Sequence, residues 1–322
     1  MINFILINLS KKLKLTKIPA YPLTLMIEPT NICNLKCPLC PTGAGLIKRK
    51  KGFLTFNDFK KAIDEIGDYI FHLRLWNWGE PLLNKDIFKM ISYAKQKRIF
   101  VNLSTNSNFL NKEVIEKLID SGLDELIISL DGASKETYQK YRKGGNFEKI
   151  IESIRFLMGE RKRLEKSVPY VKLQFIIMSH NEHEIPKIKN LAKEIGVDEL
   201  SFKTVGIMDY FSREDIKKYL PKEEKYSRYL IEKGEVFSKV KLRNWCDFLW
   251  EEMIMNWDGD IVPCCFDMNN MHVFGNAFNQ NLKDIWNNEK YVNFRKFILK
   301  NKKGVSLCEN CPGTNKETFV RV

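Results

Sequence analysis

Two hydrophobic periods take turns along this chain. Short apolar segments at Leu23–Glu28, Leu73–Trp78, Ile99–Ser104, Glu125–Leu130, Val171–Met178 and Glu199–Val205 are bounded like strands. Between them apolar residues return every third or fourth position, as in Phe56, Phe59, Ile63 and Ile66, in Ile87, Met90, Ile91 and Ala94, and in Ile150, Ile151, Ile154, Leu157 and Met158. That spacing predicts amphipathic helices whose stripe faces a core. Punctuation agrees: Asn84, Asn111 and Asn146 are placed to cap helix starts, Gly122 and Gly196 to end helices, and Pro186 in a first turn. Strands alternating with helices over residues 20 to 210 predict a parallel sheet with right-handed crossovers.

Side chains on a strand alternate faces, and here one face is polar. Glu28 opposes Leu25 and Ile27 in parity, Asn102, Ser104 and Asn106 oppose Val101 and Leu103, Ser129 and Asp131 oppose Ile128 and Leu130, Gln174 opposes Leu173 and Phe175, and Ser201 and Lys203 oppose Phe202. The apolar face must meet the helices, so the polar set lines a lumen. A closed eight-fold barrel packs its interior with branched apolar side chains; a polar lumen suits a small polar ligand. The expected fold is α/β, a partial (β/α)6 parallel barrel followed by a small C-terminal α+β domain. The expected divisions are an N-terminal segment 1–20, the barrel 21–212, a helical connector 213–238 and the C-terminal domain 239–322.

Composition narrows the class. The chain has 322 residues and 44 % hydrophobic content, enough for one large domain and a smaller one. No apolar run approaches the roughly 18 residues of a membrane span. Ile2 to Leu9 is apolar but short, and its charges, Lys11, Lys12 and Lys14, follow it, the reverse of a secretory signal. It reads as a short helix against the domain, with membrane-surface contact as the alternative. Net charge is +13, but the lysines are scattered without interleaved aromatics, so nucleic acid is not an expected partner. The run Lys48-Arg49-Lys50-Lys51 reads as a solvated loop, or as a patch steering an anionic substrate. Without a secretory signal the eight cysteines point to metal ligation in the cytoplasm.

Cys33, Cys37 and Cys40, in Cys33-Asn34-Leu35-Lys36-Cys37-Pro38-Leu39-Cys40, follow the first strand. Iron–sulfur clusters usually take four thiolates; three leave one metal position for an outside ligand, as catalytic zinc sites do. With Glu28-Pro29-Thr30-Asn31 before it and Pro38 within it, the run resembles the signature of the radical S-adenosylmethionine (radical SAM) enzymes. The resemblance implies a [4Fe–4S] cluster whose open iron binds the amino and carboxylate groups of S-adenosylmethionine, followed by reductive cleavage to a 5′-deoxyadenosyl radical. Zinc or simple burial are the alternatives the residues themselves leave.

Sites in parallel α/β folds lie at the carboxyl ends of strands, and the segments there are similar to those of the same family. Trp78-Gly79-Glu80-Pro81 resembles its Gly-Gly-Glu-Pro motif, which implies that Gly79 and Glu80 meet the methionyl amino group; Trp78 departs from the first Gly. Ser104-Thr105-Asn106 and Ser129-Leu130-Asp131-Gly132 resemble segments near the ribose and carboxylate, implicating Ser104, Asn106 and Ser129. Arg142 resembles an arginine that pairs with that carboxylate, a surface salt bridge being the other reading. His180, with Asn181, resembles a segment near the adenosine, with structural hydrogen bonding favoured over proton transfer.

Five further cysteines remain: Cys246, Cys264, Cys265, Cys308 and Cys311. Four complete one site. Neighbours on a strand face opposite ways, so Cys264 or Cys265 is spare. Trp257-Asp258-Gly259 with Cys264, Gly275-Asn276, Leu282…Ile285-Trp286 and Cys308-Glu309-Asn310-Cys311-Pro312 resembles the SPASM domain in its short, twitch form. That implies Cys246, Cys264, Cys308 and Cys311 as ligands of one auxiliary [4Fe–4S] cluster; zinc is the alternative. The cysteine spacing is similar to that of aminocyclitol dehydrogenases.

Together these resemblances imply a cytoplasmic radical SAM oxidoreductase that abstracts a hydrogen atom from a substrate in the lumen. The auxiliary cluster would accept an electron or orient the substrate. The expected substrate is a small polyol or sugar-like metabolite, and the electron donor a low-potential protein such as flavodoxin or ferredoxin. If the reaction is an oxidation, Lys203 and Glu28 are the lumen candidates for the base. The first alternative is maturation of a ribosomal peptide with a separate leader-binding partner, since the roughly 20 residues before the first strand are too few for an independent fold. An alternative of another class is a non-catalytic Fe–S electron carrier, although such carriers normally close their cluster with protein ligands.

Overall fold

In the computed structural model, residues 1–206, 211–233, 235–239, 241–309, 311 and 319–322 are described. Six strands, β1 (Thr24–Ile27), β2 (His72–Arg74), β3 (Phe100–Thr105), β4 (Glu125–Ser129), β5 (Tyr170–Ile177) and β6 (Glu199–Thr204), pair in parallel in chain order. The intervening helices include α2 (Phe56–Ile66), α3 (Ile87–Gln96), α4 (Lys112–Asp120), α5 (Lys135–Tyr141), α6 (Phe147–Arg163) and α7 (Ile185–Ile195), after an N-terminal α1 (Ile2–Leu13). The core lies between the helices and the apolar strand face: Leu25, Ile27, Leu73, Val101, Leu103, Leu126, Ile128, Leu173 and Phe175 are fully buried against Phe59, Ile63, Met90, Ile115, Ile150 and Ile188.

Among the described residues the sheet does not close. Beyond β6 lies β12 (Phe319–Val320), antiparallel to it; beyond β1 lies β9 (Glu252–Met255), parallel to it. Antiparallel strands β10 (Asp260–Val262) and β11 (Gly275–Asn276) extend that edge. The C-terminal segment therefore continues the barrel sheet rather than forming its own, and its helices Leu282–Trp286 and Glu289–Asn301 pack the outer side. Trp286 is buried and donates to the Ala20 carbonyl, and the buried Arg295 stacks on Trp286 and Tyr291 while donating to the carbonyls of Thr16, Leu249 and Trp286.

Several expectations change. The connector 213–238 is α-helical over Arg213–Tyr219 and makes a 3-10 turn at Glu224–Tyr226; it continues as an antiparallel pair, β7 (Tyr229–Glu232) and β8 (Glu235–Ser238). Its aromatic and β-branched residues on either side of Lys233-Gly234 are a hairpin signal that helical spacing concealed. The second strand ends at Arg74, not Trp78. Asn111 and Asn146 cap α4 and α6, but the residue before α3 is Asp86; Asn84 instead accepts from the Asp86 amide and donates to the carbonyls of Pro29 and Leu54. Helix α1 buries Ile7 and Ser10, and Lys11 bridges Asp247 and Glu251, while Ile2, Phe4, Ile5, Leu9 and Leu13 stay exposed. Among the described residues no helix is long and apolar enough to cross a membrane.

The basic run is not a solvated loop throughout. Residues 48–53 run back across 28–31: Thr30 bonds the Gly52 carbonyl, Asn31 the Lys50 carbonyl and the Gly52 amide, and Thr30 bridges to Phe53. Arg49 turns inward and meets both carboxylate oxygens of Glu28 at 2.9 and 3.0 Å.

Candidate active site

The three motif cysteines lie in the loop that leaves β1, folded tightly on itself. The Cys40 amide bonds the Cys37 carbonyl at 3.2 Å. A side chain at Gly43 would meet the Cys37 backbone at 2.5 Å, so this loop tolerates no bulk there. Cys37 is buried, and burial pushes its thiol up to about 12 and that of Cys33 up to about 11. Such thiols ionise only when a cationic partner repays the desolvation. Only weak donors point at the sulfurs: the Leu35 amide and Asn106 Nδ2 toward Cys33 at 3.4 and 3.6 Å, and Arg142 Nη1 toward Cys37 at 4.0 Å. Among the described residues no three His, Cys, Asp or Glu side chains are gathered to hold one metal ion. A four-iron cluster takes one thiolate per corner rather than converging them on a point, and this donor set fits it.

Beside the thiols, the Trp78-Gly79-Glu80 turn is sewn to the chain just before them. Gly79 has φ +98° and lies so close to the Thr30 carbonyl that a Cβ would meet it at 2.3 Å, while the Glu80 amide bonds the Ile32 carbonyl. Glu80 accepts from Thr105 Oγ1 (2.7 Å), the Asn106 amide (2.8 Å) and the Leu82 amide (3.2 Å). Burial nonetheless holds its pKa up at about 6. Trp78, which departs from the family pattern, donates its indole N–H to the Cys265 carbonyl at 2.8 Å, tying this turn to the C-terminal segment.

Arg142 is held by Asp131, with Nε to Oδ2 at 2.6 Å and Nη2 to the same oxygen at 2.5 Å; Asp131 is fully buried and also accepts from the Ile176 amide. The pair is therefore an inner one, not a surface salt bridge.

One cavity of about 360 Å³ joins these parts. Its walls include the three cysteines, Gly79, Glu80, Ser104, Asn106, Ser129, Arg142 and Lys203. Asn102, Asp131 and Ser201 of the polar strand face are not on it, nor are two of the candidate site residues, His180 and Glu28. His180 presents its ring edge-on to Tyr219 at 5.9 Å, because the adjacent Asn181 takes the inward position and bonds the carbonyls of Asp131 and Ile176. Glu28, whose parity aims it at the lumen, is covered by Arg49 and the Trp257 amide, so it is a structural anion and not a lumen base. Trp76, Arg228 and Phe266 line the cavity without having been singled out. Trp76 had a signal, since Arg74, Trp76 and Trp78 oppose Leu73 and Leu75 in parity; Arg228 had none.

At the other end, Cys246 senses the charges of Cys311 and, through Cys264 and Cys308, of the remaining thiols of the set. Burial pushes Cys246 up to about 11 and Cys308 up to about 12. Cys264 and Cys265 face different surroundings: Cys264 accepts from the Phe266 amide and feels Cys246, whereas Cys265 lies near Glu252 and Arg74 and packs with Met26, Ile254, Val262 and Trp76. The charges of Cys246, Cys264, Cys308 and Cys311 thus act on one another as a set. Asn310 and Pro312, within the same motif, lie outside the described residues.

Comparison with known proteins agrees with this geometry. The Radical SAM superfamily model matches residues 27–192 and the SPASM iron–sulfur cluster-binding domain matches residues 246–312. Together they imply a SAM-binding [4Fe–4S] cluster, S-adenosylmethionine and auxiliary iron–sulfur binding. The AdoMet-dependent heme synthase of Methanosarcina barkeri is 33 % identical over 170 residues, 52 % of this chain and 46 % of that protein, so the match spans about half of that relative's length. Two solved structures share the fold: BtrN in complex with AdoMet and 2-DOIA (TM-score 0.57, 16 % identity, 91 % of this chain and 94 % of that one), and Streptococcus suis SuiB bound to precursor peptide SuiA (TM-score 0.66, 19 % identity, 95 % and 74 %).

Proposed function

The chain belongs to the radical SAM superfamily, and we propose that it dehydrogenates a small polyol or sugar-like metabolite in the barrel lumen. The observation that carries this reading is a single cavity lined both by the three motif cysteines and by Phe266, which follows the Cys264–Cys265 pair in the chain. The cavity sets Ser104, Asn106, Ser129, Gln174 and Lys203 among largely apolar walls, and its volume falls within the usual range for small-molecule sites, roughly 300–1,000 Å³, which favours a metabolite over a peptide.

When bound, the first cluster and S-adenosylmethionine supply a 5′-deoxyadenosyl radical. The protein's residues supply the rest. Glu80 offers a buried carboxylate to the methionyl ammonium, and Arg142, oriented by Asp131, offers Nη1 toward its carboxylate. Ser104, Asn106 and Ser129 offer hydrogen bonds to the ribose side. Dehydrogenation of an alcohol carbon removes one hydrogen atom, one electron and one proton: Cys246, Cys264, Cys308 and Cys311 would hold the auxiliary cluster that would accept the electron, and the hydroxyl proton would pass to solvent. A reducing cytoplasm and a flavodoxin- or ferredoxin-like donor suit such an enzyme.

The likeness to a peptide-bound neighbour keeps peptide maturation with a separate leader-binding partner as the second reading. The test is anaerobic reconstitution to about eight irons, with four per cluster. Reductant should release 5′-deoxyadenosine, C–H-deuterated polyols should pass deuterium into it, and Cys37→Ala should abolish its release. Zinc without sulfide, or no nucleoside product, overturns the proposal; deuterium transfer from a peptide alone moves it to the second reading.

A further inference from the structure

Three cations and one carboxylate line the cavity. Its charged lining residues are Glu80, Arg142, Lys203 and Arg228. Glu80 is committed to three hydrogen bonds and Arg142 to Asp131. Arg228 is buried and donates to Thr204 Oγ1 at 2.5 Å. Lys203 differs from these. It stands on β6, partly buried, and its ammonium lies 5.2 Å from the Phe319 ring centroid. Among the described residues it makes no ion pair and no hydrogen bond. Arg228 and Arg74 press on it with like charge; Arg74 is itself paired with Glu252 at 3.2 Å. The anions it senses are Asp131, already shared by Arg142 and the Ile176 amide, and Cys265.

A partly desolvated cation beside two others is costly unless an anion meets it. A neutral polyol does not supply one. We infer that Lys203 is the anchoring cation for an anionic group, phosphate or carboxylate, on the substrate. This rests on reading the cavity as the substrate site and narrows the substrate to a polyol or sugar carrying such a group. It also gives Lys203 a positioning role in place of general base, since an amine paired with an anion holds its proton.

Burial and the neighbouring arginines hold Lys203 down at about 8, so it should be an unusually reactive amine. The test is chemical acetylation of the reconstituted protein at pH 8, quantified by peptide mass spectrometry against surface lysines such as Lys117 and Lys140. Lys203 should label at least tenfold faster than these, the neutral fraction being about a hundredfold larger. Inorganic phosphate or acetate should slow its labelling about tenfold or more by restoring the proton. Glycerol, and chloride at equal ionic strength, should not. The arm that protects at lower concentration names phosphate or carboxylate. In parallel, the protecting anion should raise the unfolding midpoint of the wild type and not of Lys203→Gln. Unprotected labelling, or equal midpoint shifts in both proteins, overturns the inference. Both readouts are independent of 5′-deoxyadenosine release, so they fail separately from the proposed radical chemistry.

Discussion

Replacing Arg49 by methionine separates structural from chemical readings of Glu28. In the wild type the guanidinium, 5 % exposed, covers a carboxylate that is 0 % exposed, and Arg49 Nε also donates to the Met268 carbonyl at 2.7 Å. Even with that partner, burial leaves the Glu28 pKa raised. The contribution of a raised carboxyl pKa to stability is full below the unfolded value and is lost as pH rises through the folded one, so above that range the pair is not a net source of stability. Stranding the anion is different. Arg49→Met drives the folded pKa higher still. Wild type and variant then differ least near pH 5, where Glu28 in the variant is protonated at small cost. Between the two folded pKa values the difference grows by about 1.4 kcal/mol per pH unit, toward the roughly 3–5 kcal/mol typical of an uncompensated buried charge. Asp258, 3.9 Å from the same guanidinium and also raised by burial, adds in the same direction. The lost bond to Met268 adds about 1 kcal/mol at every pH. Urea unfolding of the anaerobic, reconstituted protein at pH 5 and pH 8 reads the difference directly: the destabilisation at pH 8 should exceed that at pH 5 by about 2 kcal/mol or more. A double variant, Glu28→Leu with Arg49→Met, should recover most of it. Equal losses at both pH values would refute the reasoning, as would a Glu28→Gln protein of wild-type stability that has lost only turnover.

Two further outcomes follow from the cysteine and carboxylate geometry. Cys264→Ala should lose the auxiliary cluster, about four irons per protein, and its electron paramagnetic resonance signal, whereas Cys265→Ala should keep both clusters; the reverse pattern would show that Cys265 is the ligand. Because burial raises Glu80 to about 6, its charged form declines below that pH, so the affinity for S-adenosylmethionine, read by equilibrium dialysis, should fall up to tenfold per unit below pH 6; Glu80→Gln should bind more weakly above pH 6 with that dependence flattened, and an unchanged pH profile in Glu80→Gln would exclude Glu80 as the titrating contact.

What the sequence made legible here, and what it did not, divides along a physical line. Alternation specifies which face of a strand a side chain takes, because the period is two. That is why Ser104, Ser129 and Lys203 can be assigned to one lumen before any coordinates are seen; the same rule does not reach Cys264 and Cys265, which lie beyond the end of β10 at Val262. Parity does not specify what covers a face. Glu28 obeys the same alternation, yet the lumen ends before it. Its cover comes from Arg49, 21 residues on in a run that reads as solvated, and from Trp257, 229 residues on. The edge itself is redrawn by a distant pairing, Thr24 opposite Glu252, which carries Glu252 to Arg74 and brings the Cys264–Cys265 pair to the cavity. Non-local pairing of this kind leaves no trace in a local window. The residues that escaped sequence reading, Arg49, Arg228 and Glu252, are charged groups whose partners are remote or lie on elements of unexpected type. Those that were accessible lie on short regular strands with an apolar set opposite. A lone charge on such a strand is thus informative twice over: alternation locates it, and the absence of a partner among the described residues, as at Lys203, says what the ligand must bring.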